Sequence, residues 1–535
     1  MPSQVGRYTA ANSPRLAEGW ELERLTPPSR LFGANGIRTG PDGRIYVAQV
    51  SGSQISAVEP DTGLIETISP MGGDIVAPDD LVFDADGNLY ATEITEGRVS
   101  VREANGRTRV VYGDMPCANP ITMYRGRLFA GECRPDGRIL ELNLNGGAPR
   151  VLLDHVPMPN AMEVGPDGML YFPVMGTNEI WRVNPEGGAP EVVACDLGVP
   201  DAVKFDAQGF IVSTQVASGQ VLRIDPRTGE RTVLADIAPG LDNLTFVGDR
   251  LFVSSISGQI NEVLADGRLR SLVPDGLQWP LGLAMGEDGL LFVADGGFTY
   301  ALRPGGGLQV TGMLFSEGFP GYTRGVAAAG PGDYIVTTAN GQVARWRPAR
   351  RETEFLAEGC DQLYGVALAA GGAVVVAEKG TGRVLSIGSG KFEPLASGLN
   401  RPAGVAAWGD TCLVAEEGAG RVVKLVRGGV DTVLDGLQRP QGILARGDLL
   451  YIVDAGAREL VEYDMVSGAR RAIATDLPVG APQGVIAKPL GAIGQLSGPM
   501  GPFAGITAGP DGALYVSADA EGSVLALRPT QNVTR

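Results

Sequence analysis

The chain has 535 residues, with 44 Lys+Arg against 61 Asp+Glu for a formal charge of −17, and it carries 78 Gly and 37 Pro. So much Gly and Pro excludes a helical bundle, and 44% hydrophobic residues exclude a disordered chain. The acidic balance argues against nucleic acid and against a membrane surface as partners, because both reward a basic face.

Residues 1–29 come first. They open MPSQVGRYTA, without the charged-then-apolar order of a secretory leader, and no apolar run in the chain approaches the roughly 18 residues that a span requires. Five cysteines, Cys117, Cys133, Cys195, Cys360 and Cys412, are too few and too irregular for a disulfide framework. The expectation is a cytoplasmic protein. Trp20–Thr26 (WELERLT) has strand character.

From Gly36 a repeat begins: GIRTGPDGRIYVAQVSGSQISAVEPDTGLIETIS. It returns as LVFDADGNLYATEITEGRVSV from Leu81, MEVGPDGMLYFPVMGTNEIWRVNPEGG from Met162, VKFDAQGFIVSTQVASGQVLRIDPRTGE from Val203 and GITAGPDGALYVSADAEGSVLALRP from Gly505. With weaker copies there are about twelve units of about 40 residues, the period of a β-propeller blade. Asp-Gly turns between apolar runs mark the hairpins, because Gly accepts the positive φ they need. The fold class is therefore all-β; two tandem β-propellers of six four-stranded blades each, at 30–272 and 273–535, are the expectation, ahead of a single twelve-bladed ring or a seven-plus-five split. The last unit stops after its third strand, so the N-terminal segment is expected to supply the fourth. A Gly/Pro-rich insertion, 478–503, interrupts the second propeller and reads as a lid, a subunit contact or a surface loop.

The innermost strand of a propeller blade lines the central channel. Aligned on their turns, the blades of the first half place Asn35, Asp79, Asn119, Asn160, Asp201 and Asp242 two residues before the first inward apolar residue; a slip of one would make the last Asn243. All carry side-chain oxygen. The second half has Leu281, Arg324, Tyr364, Ala403, Gln441 and Ala504 there. Turn preference for Asn and Asp would act on both halves alike, so the contrast points to a site in the first propeller and a structural or assembly role, including contact between copies of the chain, for the second. Converging oxygens suit one divalent cation, Ca²⁺ first and Mg²⁺ or Mn²⁺ next, whereas zinc or copper would want His or Cys.

A second tier lies at the ends of the second strands: Gln49, Glu93, Glu132, Val174, Gln215 and Ser255. Glu93 and Glu132 could complete a metal shell or serve as a general base, or else be plain charges at strand ends; the second half has acids there too, at Asp295, Glu378, Glu416 and Asp454. His155, the one histidine, is a candidate proton-transfer group in the loop leading to Asn160, although Asp114, Asp196 and Asp236 at the aligned positions favour a turn role. Met158, Met162, Phe172 and Met175 are candidates for an apolar pocket wall. No P-loop, nucleophile elbow or dinucleotide fingerprint is present.

The segments MPNAMEVGPDGMLYF (Met158–Phe172) and VPDAVKFDAQGFIVS (Val199–Ser213) resemble the P-N-G…D-G…L-Y and P-D-G…D-x-x-G…W-V segments of the gluconolactonase/regucalcin (SMP-30-like) family. The resemblance implies a six-bladed propeller hydrolase with one divalent ion, often calcium, on the channel axis. It makes Asn160 a metal-binding Asn, Asp201 a metal-binding Asp with base function and Asn119 an Asn from the preceding blade. The family's Glu at the first blade has only Asn35 or Asp79 to replace it, and its Gly after Asn and Asp is Ala161 and Ala202 here. The implied activity is hydrolysis of a small cyclic ester (lactone) or related carbonyl compound, with Asp201 first and Glu132 or Glu93 next as base. The blades also resemble virginiamycin B lyase, a seven-bladed metal-dependent family with a catalytic His, which leaves a lyase or C–C bond hydrolase as the enzyme alternative. An NHL-like protein-binding propeller is the alternative without chemistry.

Overall fold

The computed structural model describes residues 7–8, 12–303, 305–388 and 391–530. Among these residues the regular structure is antiparallel β-strand, with two single-turn 3-10 helices at Pro348–Arg350 and Ala370–Gly372. The pairings fall into twelve separate sheets, eleven of four strands and one of five. Among the described residues no helix is long and apolar enough to cross a membrane.

The chain divides into two compact units. The first comprises Arg30–Gln278 with Val485–Gln495; the second comprises Trp279–Gly484 with Leu496–Arg535 and Met1–Ser29. Each takes six sheets, so both are six-bladed β-propellers. The blades of the first unit are 37–69, 78–112, 118–156, 163–194, 200–236 and 241–273.

Local chemistry explains the blades. A second strand such as Leu89–Glu93 (LYATE) is buried along its whole length, because neighbouring blades cover both its faces, and it reads as near-continuous apolar or small residues. The outermost strands face water on one side, which is why Val110, Val151, Val192 and Val233 stand exposed. In the turns the Asp side chain organises the backbone: Asp84 Oδ1 accepts the N–H of Asp86 at 3.0 Å and of Asn88 at 2.9 Å, with Gly87 at φ +80°.

Each ring closes on itself. In the first unit the inner strand Ile37–Thr39 packs beside Leu241–Val247, and in the second Leu283–Met285 packs beside Ile506–Ala508. Neighbouring inner strands are joined at one level, as where Gly36 N–H donates to Asp79 O at 2.7 Å and Thr92 Oγ1 donates to Asn119 O at 2.8 Å.

The last blade of the second unit is completed by residues from the other end of the chain. Trp20–Arg24 pairs antiparallel with Ser523–Pro529, from Trp20 opposite Pro529 to Arg24 opposite Leu525. Trp20 and Leu22 pack on the cluster containing Val516, Leu525 and Leu527, and Arg24 Nε reaches Glu521 Oε1 at 2.8 Å. The unit boundary falls at 278/279 rather than 272/273. The insertion expected to belong wholly to the second propeller is divided, since 485–495 packs into the first unit, where Lys488 Nζ donates to Gly73 O at 2.5 Å.

Removing residues 1–28 strips the fourth strand from the last blade and exposes the Leu525 and Leu527 side of its core. The melting temperature of the second unit is expected to fall by about 10 °C or more, the loss of several kcal/mol of burial in a domain of this size. An unchanged melting curve would contradict the closing role of the strand.

Candidate functional site

Four inner strands of the first unit carry the same irregularity. Between Pro78 and Leu81, Ala118 and Ile121, Pro200 and Val203, and Leu241 and Leu244, the inner strand advances three residues while its partner advances two. These β-bulges contain Asp79, Asn119, Asp201 and Asp242, and bulges re-aim side chains. The second unit has them too, for example between Thr323 and Val326 and between Leu363 and Val366, so the bulge belongs to the fold.

What differs is the residue two places before each ring position. In the first unit all six hold a left-handed backbone: Gly33 (φ +93°), Ala77 (+47°), Cys117 (+56°), Met158 (+57°), Val199 (+62°) and Gly240 (+102°). In the second unit only Gln362 and Arg401 do so at the six equivalent places. A left-handed Val or Met is strained, and such strain gathers where a structure over-determines a site.

The six expected ring residues are all buried. Two pairs are joined directly: Asn35 Nδ2 donates to Asp242 Oδ2 at 3.1 Å, and Asn160 Nδ2 donates to Asp201 Oδ2 at 3.1 Å. Asn160 Nδ2 also lies 3.0 Å from Met175 Sδ, which places that thioether at the ring. Asp242 rather than Asn243 is the ring member, since Asn243 Oδ1 turns back to accept the Leu244 N–H.

The three carboxylates share one problem. Burial pushes Asp79 up to about 8, with the charge of Asp80 adding to it. Burial likewise drives Asp201 and Asp242 well above the usual carboxylate range, Asp201 further by Asp242 and Asp79 and Asp242 further by Asp79. Among the described residues no Arg or Lys is a cause of the shift of any of the three. Uncompensated buried carboxylates cost several kcal/mol each unless protonated or joined by a cation. Among the described residues no three His, Cys, Asp or Glu side chains form a ready-made metal cluster, so a cation here would draw on amide oxygens as well as carboxylates. That donor set, three carboxylates and three amides, fits a hard divalent ion. The Asn35 and Asn160 amides now turn Oδ1 to the Val50 and Ala161 N–H groups, and rotation by 180° would present those oxygens to the ring instead.

The second tier is placed differently. Glu93 accepts the Val76 N–H at 2.7 Å, Arg98 Nε at 2.9 Å and Arg98 Nη2 at 2.7 Å, and it also bonds Ser100 Oγ. Glu132 is held by Arg134 at 2.8 Å and by Arg138. The same acceptor position grips an upstream N–H in several blades of both units: Gln49 takes Phe32, Gln215 takes Gly198, Glu378 takes Asp361 and Glu416 takes Asn400. Glu93 fastens its approach loop in this way, whereas the Glu132 oxygens are taken by the Arg134 and Arg138 guanidinium groups. His155 stands at the end of the outer strand Arg150–Val156, not in a loop at the mouth; its side chain is 77% exposed and bonds Asp136, which raises its pKa. Met162 and Phe172 are core residues.

Sequence reading missed a polar group farther along the same strands. Arg38 Nη1 lies 2.7 Å from Glu163 Oε2, and its other nitrogens donate to Leu81 O and Ile121 O. Lys204 Nζ lies 3.1 Å from the same Glu163 oxygen, off the hydrogen-bond direction. Burial opposes the charge on Glu163, but Lys204 and Arg38 outweigh it and pull its pKa down to about 2. Arg38, Glu163 and Lys204 each sit three residues after a ring position, and Asp80 sits one after; that shared offset is the signal in the sequence.

Because Asp79, Asp201 and Asp242 have folded values above their unfolded ones, the cation-free protein takes up protons on folding. Their contribution is complete below about pH 4 and is lost as the pH rises, toward about 8 for Asp79. In EDTA the melting temperature should therefore fall between pH 5 and pH 8, and Asp201→Asn should raise it at pH 8 by a few degrees. A flat profile, or destabilisation by Asp201→Asn in EDTA, would contradict this electrostatic picture.

Streptogramin B lyase is similar over 52% of this chain and 96% of its own, at 19% identity and a TM-score of 0.39. Virginiamycin B lyase from Staphylococcus aureus is similar over 52% and 96%, at 17% identity and a TM-score of 0.38. No curated protein matches the chain. The family model described as SMP-30/Gluconolactonase/LRE-like region matches residues 78–257, which hold every ring residue except Asn35. Over that third of the chain, the first unit is similar to the SMP-30/gluconolactonase/LRE-like region.

Proposed function

We propose that the first unit is a metal-dependent hydrolase of a small cyclic ester, a lactone, or a related carbonyl compound. The observation that carries this reading is the set of three buried carboxylates at one channel mouth with no basic side chain among the described residues to compensate them. A divalent cation bound there would polarise the substrate carbonyl and stabilise the developing oxyanion.

The chain's own residues supply the rest. Asp201 is the base that takes a proton from the attacking water. Without a cation Asn160 donates to Asp201 Oδ2 and Asn35 to Asp242 Oδ2; with one bound, the turned amide oxygens would join the donors, and Asp201 would give one oxygen to the ion and keep the other for that proton. Met175 at the Asn160 amide makes one side of the site apolar, and the left-handed approach loops hold the side chains in place before substrate arrives. Arginine side chains take the oxygens of Glu93 and Glu132. The six-bladed unit and the exposed His155 favour the hydrolase over the seven-bladed, His-dependent lyase reading.

The test is turnover of a panel of γ- and δ-lactones by protein stripped with EDTA and then supplied with Ca²⁺, Mn²⁺ or Mg²⁺. Hydrolysis should vanish with EDTA and return with one of the ions, and Asp201→Asn should lower kcat by about 10²–10⁴-fold. Turnover that is indifferent to EDTA, or absent with every ion, would overturn the proposal.

A further inference from the structure

Beside the ring of the first unit lies a cleft of about 350 Å³, lined among others by Ile94, Thr95, Met115, Cys117, Ala492 and Gly494. Its volume lies within the range of small-ligand pockets. One wall is the approach to the third blade, the run Gly113–Cys117 that leads into ring residue Asn119. The opposite wall comes from 485–495 (VIAKPLGAIGQ), some 370 residues later in the chain and carrying none of the blade strands.

That segment is seated closely. Leu490 is buried, and Lys488 Nζ donates to Gly73 O. Gly491 passes so near the second blade that a Cβ there would lie 2.8 Å from Thr95 O, and a Cβ on Gly494 would lie 3.1 Å from Cys117 Sγ. Cys117 lines the cleft and stands two residues before ring residue Asn119, so the cleft adjoins the approach to the ring. Thr95 Oγ1 is buried at this cleft with no hydrogen-bond partner, and a buried hydroxyl left so costs about 1–3 kcal/mol. Glu96 and Asp114 at the rim disfavour an anionic occupant.

We infer that the cleft between the third-blade approach and segment 485–495 is a specificity subsite for an uncharged, largely apolar arm of the substrate, with Thr95 Oγ1 bonding one polar atom of that arm. The inference rests on the hydrolase reading for the identity of the substrate, but not for the existence of the subsite. A lactone with an alkyl arm places its ring ester at the Asp and Asn side chains and its methylenes against Ile94, Met115 and Ala492. Segment 485–495 is thus a device that selects among substrates sharing one reactive group.

The experiment uses the full chain loaded with the ion that supports turnover, and a series from γ-butyrolactone to γ-dodecalactone. In the wild type kcat/KM should climb with arm length, by about 4-fold per methylene until the cleft is filled. Ala492 is exposed, so Ala492→Trp can fill the cleft without disturbing the fold, and it should flatten the series. Thr95→Val keeps the shape and removes the hydroxyl; it should lower affinity for arms bearing a carbonyl more than for plain alkyl arms. A series without length dependence, or one that survives Ala492→Trp, overturns the subsite while leaving the hydrolase standing. Should no lactone be turned over, binding of decanamide measured by NMR titration still decides: loss on Ala492→Trp supports the subsite, and no binding to the wild type overturns it.

Discussion

Closure of the propeller fixes everything else in the first unit. Each blade buries both faces only by packing on two neighbours, so the sixth blade must meet the first, as Leu241–Val247 does Ile37–Thr39. The inner strands are then locked by bonds that run from blade to blade: the carbonyls of Asn35, Asp79, Asn119 and Asp242 are taken by Ser254, Gly36, Thr92 and Thr214 respectively. Backbone positions so held give six side chains little freedom to move apart. Chemistry that would be costly for a flexible loop, the convergence of like charges, becomes available to a rigid ring.

The second unit obeys the same constraint with the opposite outcome. Its inner strands are joined in the same way, with Gly282 N–H donating to Arg324 O and Thr337 Oγ1 donating to Tyr364 O. At the ring positions, however, stand a fully buried Arg324 whose guanidinium lies 4.5 Å from the Tyr364 ring centroid, and Tyr364 itself, edge-to-face with Phe503 at 6.0 Å. Arg324 also donates to Pro499 O, so the last residues of the insertion pack against that ring. There a guanidinium built into the protein, stacked on an aromatic ring and bonded to backbone carbonyls, fills the centre. One geometry, two fillings, gives a candidate site in one unit and a packed centre in the other.

Much of this is legible in the sequence because a repeat exposes its own exceptions. The blade period, the Asp-Gly turns and the ring contrast between the halves need only alignment of the chain with itself. Glu93 and Glu132 mislead because a carboxylate bonded within its own blade is chemically identical to a ligand or a base until its partners are seen. Arg38, Glu163 and Lys204 escape because a strand is read with period two and they stand three residues after the ring, an offset that the bulge explains for Lys204. The left-handed loops at Ala77, Cys117, Met158 and Val199 have no sequence mark, since these residue types do not ordinarily adopt that conformation. Nothing in 485–495 foretells that it becomes the wall of a cleft beside blades some 370 residues earlier, because no local pattern encodes such a contact.

The central claim is that the uncompensated carboxylates of the first unit exist to hold a divalent cation. Crystals grown with Mn²⁺, or with Ca²⁺, and examined by anomalous diffraction test it directly. The account predicts a single strong peak per chain, enclosed by Asp79, Asp201 and Asp242 with Asn amide oxygens turned toward it. No peak at the ring, or a peak confined to surface carboxylates, would contradict it and make protonation the way these three groups are accommodated.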